Sequence, residues 1–418
     1  MKLVLLAVYL LVTAARFGLD WLNLRHRQAA EKTLPAAFAG QIDTERLARS
    51  DAYALAGDKL GLVEDSLGVL LTLLFLFGGL LPWYDQLVAG MAEGFILNGL
   101  LFFGLLTLVQ LLLGIPFSLY RNFVLEARFG FNRMSFKLWL LDTLKSLLIG
   151  AILFALLAGG SLWLVAAAPE SWWLWVWGFW AGMSLFLLYL SPTLIEPLFF
   201  KFSPLDKPEL ENGVRDLLDR AGVRAGKVLQ VDASKRSGHS NAYFTGIGKV
   251  KRVVLFDTLL EQLEDNELLA VLAHELGHWR CGHLRNQLIK SQLVALASCW
   301  LAFSLLGSGW LPGLLGLSQL SFAAQVLLLG WLASLLGFFW TPVSSWWSRR
   351  QERQADQFAI DLVGSGKQLA SGLVKLAREN LSNLFPHPLF VAVYYSHPAL
   401  VARVLWLEKR RANDGRKK

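Results

Sequence analysis

The chain has 418 residues, of which 55% are hydrophobic and only 17% charged, with 17 Trp and 27 Phe. Such a composition excludes an ordinary soluble globular protein, and the recurring long apolar runs point to an integral membrane protein in contact with a lipid bilayer. The net charge of +8 is concentrated between those runs, the pattern of membrane-protein loops, and gives no reason to invoke nucleic acid.

The first run, MKLVLLAVYLLVTAARFGL, shares a lone Lys2 and an apolar core with signal peptides. It lacks a small-x-small cleavage site before the charged stretch, so it reads as an uncleaved first span. Seven segments reach the roughly 20 residues that a bilayer requires. They lie near 3–22, 64–83, 95–119, 146–167, 173–195, 288–308 and 322–344. Asn98 and Gln110 are expected to face the bundle interior or a watery cavity, because polar groups are costly in hydrocarbon. Glu196 fits either that reading or the interface where the fifth span ends.

Loop charges set an expected orientation. Residues 23–60 carry Arg25, Arg27, Lys32, Arg46, Arg49 and Lys59, and residues 120–137 carry Arg121, Arg128, Arg133 and Lys137. The alternate loops, 84–94, 168–172 and 309–321, hold no lysine or arginine. The positive-inside rule then places the basic loops in the cytoplasm, the amino terminus outside and the basic tail inside. Residues 1–199 read as spans one to five, 200–287 as a cytoplasmic α+β insert, 288–344 as spans six and seven, and 345–418 as a second cytoplasmic region. The expected fold is therefore mainly α, a seven-helix polytopic protein with a small α+β region.

Residues 23–60 are polar with a helical pattern and read as an ordered helix rather than a linker. Within the insert, 208–221 has helical periodicity after a proline, and 227–232, 241–247 and 251–257 read as strands. Gly248-Lys249 suits a hairpin turn between the last two, and Asp265 suits an N-cap for the helix that follows. The cysteines, Cys281 and Cys299, have no metal-binding or disulfide spacing and read as reduced packing residues.

That helix contains His274-Glu275-Leu276-Gly277-His278. Histidines four residues apart share one helix face and can close on a single metal ion. Glu275 can then reach a metal-bound water without being a ligand, which is the H-E-x-x-H pattern of zinc peptidases. A catalytic zinc site takes three protein ligands. His283 is out of phase with the pair and ranks low as the third. Glu352 and Asp356, spaced i, i+4 in SRRQERQADQFAIDL, rank higher. Glu352 would complete the set, and Asp356 would orient a ligand histidine. A zinc ion there would activate water, with Glu275 as base, for attack on the peptide bond of a peptide or protein substrate. His397 and Arg403 are the candidates to stabilise the oxyanion. His239, His26 and His387 rank below them.

These residues carry a resemblance. The chain resembles the type I CAAX prenyl endopeptidases, multi-spanning zinc metalloproteases of the ER and of bacterial membranes. The likeness runs through YRNFVLEARFGFN, PTLIEPLFFKFSPL, SKRSGHSNAYFTG, VVLFDTLL, HELGHW, ERQADQFA and YYSHPAL. It implies one Zn2+ held by His274, His278 and Glu352, with Glu275 as base and Asp356 behind the ligands. It also implies that His397 stabilises the transition state with Arg403 near it, and that Asn241, Ala242 and Tyr243 hold substrate by strand addition. The family's architecture implies a large water-filled chamber within the bundle, and its substrates imply a prenylated C-terminus. The short loops and the GRKK end set the expectation of a bacterial inner-membrane protein, with CAAX-type processing or membrane-protein quality control as its task. The rival classes are a transporter, which leaves HELGH unexplained, and a catalytically weak chaperone, which leaves the intact His-Glu-His-Glu set unexplained.

Overall fold

The computed structural model describes residues 1–29, 34–223, 226–245 and 252–411. Seven of its helices are long and apolar enough to cross a membrane. Five come first: α1 (Lys2–Ala29), α2 (Thr44–Phe77), α3 (Phe95–Phe129), α4 (Phe136–Ala167) and α5 (Trp172–Phe199). The polar stretch 23–60 is not a separate helix. Among the described residues it comprises the end of α1, a short 3₁₀ turn at Ala36–Phe38, and the opening turns of α2. Asp43 caps α2 by accepting from the Arg46 N–H at 2.7 Å. The expected second span, 64–83, is interrupted at Gly78-Gly79. There Gly79 takes φ 88° and starts a separate helix, Leu80–Ala89. Asn98 is half-buried and donates to the carbonyl oxygen of Val88 at 3.1 Å, so its polarity closes the end of that helix.

The insert follows α5 as β1 (Phe202–Pro204), α6 (Pro208–Arg220), β2 (Lys227–Val231), β3 (Ala242–Thr245) and β4 (Arg252–Phe256). The sheet order is β1-β2-β4-β3. β2 and β4 are parallel, while β1 and β3 run antiparallel to their neighbours. Strand β1 lies in the tail of PTLIEPLFFKFSPL, at the start of the insert, where no strand is expected from the sequence. The expected turn at Gly248-Lys249 falls outside the described residues, and the antiparallel β3–β4 register, Ala242 opposite Leu255, is the one a hairpin uses.

Then come α7 (Asp265–Arg280), α8 (His283–Gly307), α9 (Phe322–Val363), α10 (Lys367–Glu379) and α11 (Leu400–Glu408). The N-cap of α7 is Glu264, not Asp265. Glu264 accepts from the N3 backbone and Glu267 accepts from the Glu264 N–H, so the cap is a reciprocal capping box and Asp265 becomes the first helical residue. Glu267 also takes Ser371 Oγ at 2.6 Å and Lys375 Nζ at 2.8 Å, fastening α7 to α10. Leu268, Leu272 and Leu276 form one stripe of α7 and bury against Val253 and Leu255 of β4 and Leu369 and Val374 of α10. That core holds the helix rigid from behind.

Helix α9 is 42 residues long. At 1.5 Å per residue this is about 63 Å, roughly twice the 30 Å hydrocarbon layer. The expected span near 322–344 occupies its first half, and the second half carries Glu352 and Asp356 without a break in the helix. Both cysteines are free, as expected, but Cys281 is exposed at the C-cap of α7 rather than packed.

Candidate metal centre

The face of α7 opposite its leucine stripe carries His274 and His278 and packs against α9. Contact there is close because position 277 has no side chain. A Cβ on Gly277 would come within 2.8 Å of Ala355 Cα and 2.9 Å of the Ala355 carbonyl oxygen. Ala355 lies between Glu352 and Asp356, so the glycine of HELGH sets how near the two helices bring their functional groups.

Two imidazole nitrogens and one carboxylate converge. His274 Nε2 and His278 Nε2 are 3.3 Å apart. Glu352 Oε2 lies 3.3 Å from His274 Nε2, and Glu352 Oε1 lies 3.1 Å from His278 Nε2. Ligands at 2.0–2.1 Å around a tetrahedral zinc are separated by about 3.3–3.4 Å, so these separations suit such a site, with the Glu352 carboxylate turning one oxygen toward each histidine. Glu352 is buried, and its Oε2 accepts no hydrogen bond among the described residues. A buried carboxylate oxygen left without a donor is costly, and a cation between the three side chains satisfies it. The residues therefore fit a divalent metal with one position left open.

The next shell is equally built. His274 Nδ1 lies 2.8 Å from Asp356 Oδ1. Arg403, from α11, forks onto the same carboxylate, Nε to Oδ2 at 2.9 Å and Nη2 to Oδ1 at 2.6 Å. Its Nη2 also stands 3.4 Å from Glu352 Oε2. Asp356 and Arg403 are both buried, so their pairing neutralises two charges that could not stand alone there. Burial alone would depress the His274 pKa, but Asp356 and Glu352 outweigh it and hold it at about 9. Positive charge is favoured at that ring. Glu275 is half-buried one residue on, and burial lifts its carboxyl above the ordinary range, as suits a base working near neutrality. His397 reaches in from the segment before α11. Its Nε2 is 3.4 Å from Glu352 Oε1, and its Nδ1 is 2.9 Å from Ser396 Oγ.

Beside the centre runs β3. It is the outer strand of the sheet among the described residues, pairs on one side only with β4, and packs against α7. Asn241 precedes it, with its carbonyl oxygen accepting from Phe256 N at 3.1 Å and its Oδ1 from Ala242 N at 2.8 Å. Tyr243 donates its hydroxyl to Glu196 Oε2 at 3.0 Å, and Arg252 donates to the same oxygen at 2.6 Å. Glu196 thus anchors the sheet to the end of α5. Burial first, then the Glu196 charge, raises the Tyr243 hydroxyl pKa.

The other histidines stand elsewhere. His26 and His387 pack edge to face, with ring centroids 5.2 Å apart. His239 stacks on Phe131 at 4.1 Å and lies 3.3 Å from Glu126 Oε2 and 3.1 Å from Asn380 Oδ1. It joins α3, the insert and α10. Residues that sequence reasoning passed over include Gly277, whose packing partner is distant in sequence, and His283. The latter is buried, with its Nδ1 3.1 Å from His278 Nδ1.

Comparison with known proteins agrees with this arrangement. Residues 23–201 match the family described as "CAAX prenyl protease N-terminal, five membrane helices", and residues 204–411 match "Peptidase family M48". The chain is similar to CAAX prenyl protease 1 homolog of Arabidopsis thaliana, 35% identical with 95% of this chain and 94% of that protein covered. It is 33% identical to CAAX prenyl protease 1 of Saccharomyces cerevisiae, over 92% and 90% of the two chains. The crystal structure of S. mikatae Ste24p superposes with a TM-score of 0.86 at 31% identity, covering 95% of this chain and 97% of that one. The seven-helix bundle, the small sheet and the buried His-His-Glu cluster thus have a common explanation: the chain belongs to the CAAX prenyl protease 1 family of multi-pass membrane metalloendopeptidases.

Proposed function

We propose that this chain is a zinc-dependent endopeptidase that cleaves prenylated C-terminal peptides at the cytoplasmic face of a membrane. The observation that carries the reading is the convergence of His274 Nε2, His278 Nε2 and the Glu352 carboxylate, at separations of 3.1–3.3 Å, beside β3, the outer strand of the sheet among the described residues. His274, His278 and Glu352 would hold the metal. When bound, a zinc ion supplies a Lewis acid that brings the pKa of its water to about 7 and polarises the scissile carbonyl.

The chain's own residues do the rest. Glu275, its pKa lifted by burial, takes the proton from the attacking water and delivers it to the leaving amine. His397 stands at the open side of Glu352 and donates toward the oxygen on which negative charge develops. Arg403 adds positive charge from behind and keeps Asp356 ionised against His274. Substrate lies extended along β3, adding a strand whose main-chain hydrogen bonds align the scissile bond with the metal while leaving side-chain choice open. Asn241, Ala242 and Tyr243 form the start of that edge, and Glu196 fixes the tyrosine.

The prenyl group is apolar, and a bundle embedded in lipid is the natural surface to receive it. The curated relatives named above are CAAX prenyl proteases, which supports that substrate class. The basic loops 23–60 and 120–137 support the cytoplasmic placement.

The test is zinc analysis of the purified protein together with cleavage of a farnesylated C-terminal peptide, in wild type and Glu275→Gln. One zinc per chain in both, with cleavage abolished only in the variant, is the expected result. A wild type without zinc, or a variant that cleaves normally, overturns the reading.

A further inference from the structure

Both ligand histidines need their second ring nitrogen satisfied, and the structure meets the two needs differently. His274 uses the Asp356 carboxylate. His278 has no carboxylate at Nδ1; what faces that atom at 3.1 Å is the Nδ1 of another imidazole, His283. The rings meet edge to face, 72° apart with centroids 5.1 Å apart, as an in-plane hydrogen bond between ring nitrogens allows. His283 Nε2 then lies 2.9 Å from Gln354 Oε1.

We propose that His283 and Gln354 are positioning residues that fix the tautomer of His278 through a one-way chain of hydrogen bonds. The inference rests on the metal reading above, which requires His278 Nε2 to be unprotonated. Its proton must then sit on Nδ1 and be donated to His283 Nδ1. A neutral His283 that accepts at Nδ1 carries its own proton on Nε2, and Gln354 Oε1 is the acceptor waiting for it. Each donor meets an acceptor. Turning the Gln354 amide over would reverse every link and place a proton on His278 Nε2, where the metal belongs. Outer-shell partners of this kind set ring orientation and ligand basicity.

The fold shows how the chain is assembled. Gly282, with φ 69°, ends α7 and turns the backbone so that His283 opens α8 and folds back onto His278. A Cβ at Gly282 would also come within 3.2 Å of the Arg285 guanidinium. Gln354 comes from α9, between Glu352 and Asp356. The link therefore joins the metal helix, the sixth span and the seventh span. His283 was out of phase as a third ligand because it belongs to a different helix, and that same break makes it available to a ligand's far side.

The test is zinc affinity by chelator competition in full-length protein, with thermal unfolding of each zinc-stripped variant as the folding control. His283→Leu removes the acceptor and should loosen zinc about 10–100-fold. His283→Asn keeps an acceptor and should recover most of that loss. Gln354→Glu, which keeps an acceptor, should bind as wild type, while Gln354→Leu and Gln354→Lys should loosen zinc, the lysine most because it can only donate. The cobalt-substituted protein gives a second readout, since its visible spectrum should shift in the leucine variants and return in the acceptor-retaining ones. Wild-type affinity in His283→Leu and Gln354→Lys overturns the inference and leaves the metal reading standing. Equal loss in Gln354→Glu and Gln354→Lys overturns it too, showing a packing effect. A wild type that binds no zinc removes the metal reading and this inference with it.

Discussion

Gly277 and Ala355 lie so close that a methyl group on the glycine would overlap the alanine backbone at 2.8–2.9 Å. Helices α7 and α9 are therefore in backbone contact at the level of the proposed metal ligands. Gly277→Ala must push them apart. Overpacking of this kind costs about 1–3 kcal/mol. We expect a lower melting temperature and weaker zinc retention together, measured by thermal unfolding and metal analysis. A stable variant with full zinc would show that the interface yields more easily than its geometry indicates.

Glu352 and Asp356 are one turn apart but should fail differently. Glu352→Ala removes one of three proposed ligands and should abolish zinc binding at ordinary concentrations. Asp356→Ala should loosen zinc about 10–100-fold. It should also destabilise the fold by about 3–5 kcal/mol, because Arg403 is left buried without its partner. Adding Arg403→Leu should restore stability but not affinity. Greater zinc loss in Asp356→Ala than in Glu352→Ala would reverse the two assignments.

His397 is the test of transition-state stabilisation. Its side chain is 60% exposed, with Ser396 and Glu352 as its polar neighbours, so its removal should leave the fold intact. We expect His397→Ala to lower kcat by about 10²–10³ with KM and zinc content nearly unchanged. Loss confined to KM would move His397 from the oxyanion to substrate binding.

His239 gives a pH dependence separate from the metal. Burial would lower its pKa, but hydrogen bonds with Glu126 and Asn380 outweigh that and raise it, with Tyr53 also on Glu126. A folded-state pKa above the unfolded value of about 6.5 means that the stabilisation is complete below that pH and is lost as pH rises through the folded value. Wild type should exceed His239→Gln in melting temperature most clearly in mild acid, with the gap narrowing toward alkaline pH. A gap that widens with pH would reverse the sign and require a neutral ring in the native contact.

The sequence carried the periodic features well. Seven apolar runs announced seven helices, and the i, i+4 spacing of His274 with His278 and of Glu352 with Asp356 placed each pair on one helix face. Hydropathy could not show how far the helices run past the lipid, because polar helix and polar loop look alike to it; α9 continues well beyond its apolar half. Local signals near a boundary competed, and Glu264 outranked Asp265 because it finds a reciprocal partner in Glu267. Strand β1 was hidden in a short apolar tail with no alternation of its own. What no local pattern could reveal were the meetings between distant segments: Arg403 with Asp356, Glu196 with Arg252 and Tyr243, and His283 with Gln354. A two-residue break at Cys281-Gly282 decides the last of these, and a helical wheel drawn through it misplaces everything beyond.

Helix α9 delivers Glu352 only after it has itself crossed the bilayer, and α8 must cross before it. During synthesis His274 and His278 therefore leave the ribosome as an incomplete pair, without the third member of the proposed site. Metal acquisition becomes a late event, conditional on insertion of the last two spans. A chain stalled or mis-inserted at α8 would remain an inert precursor, so the topology that builds this protease also postpones its hydrolytic power until the membrane has accepted it.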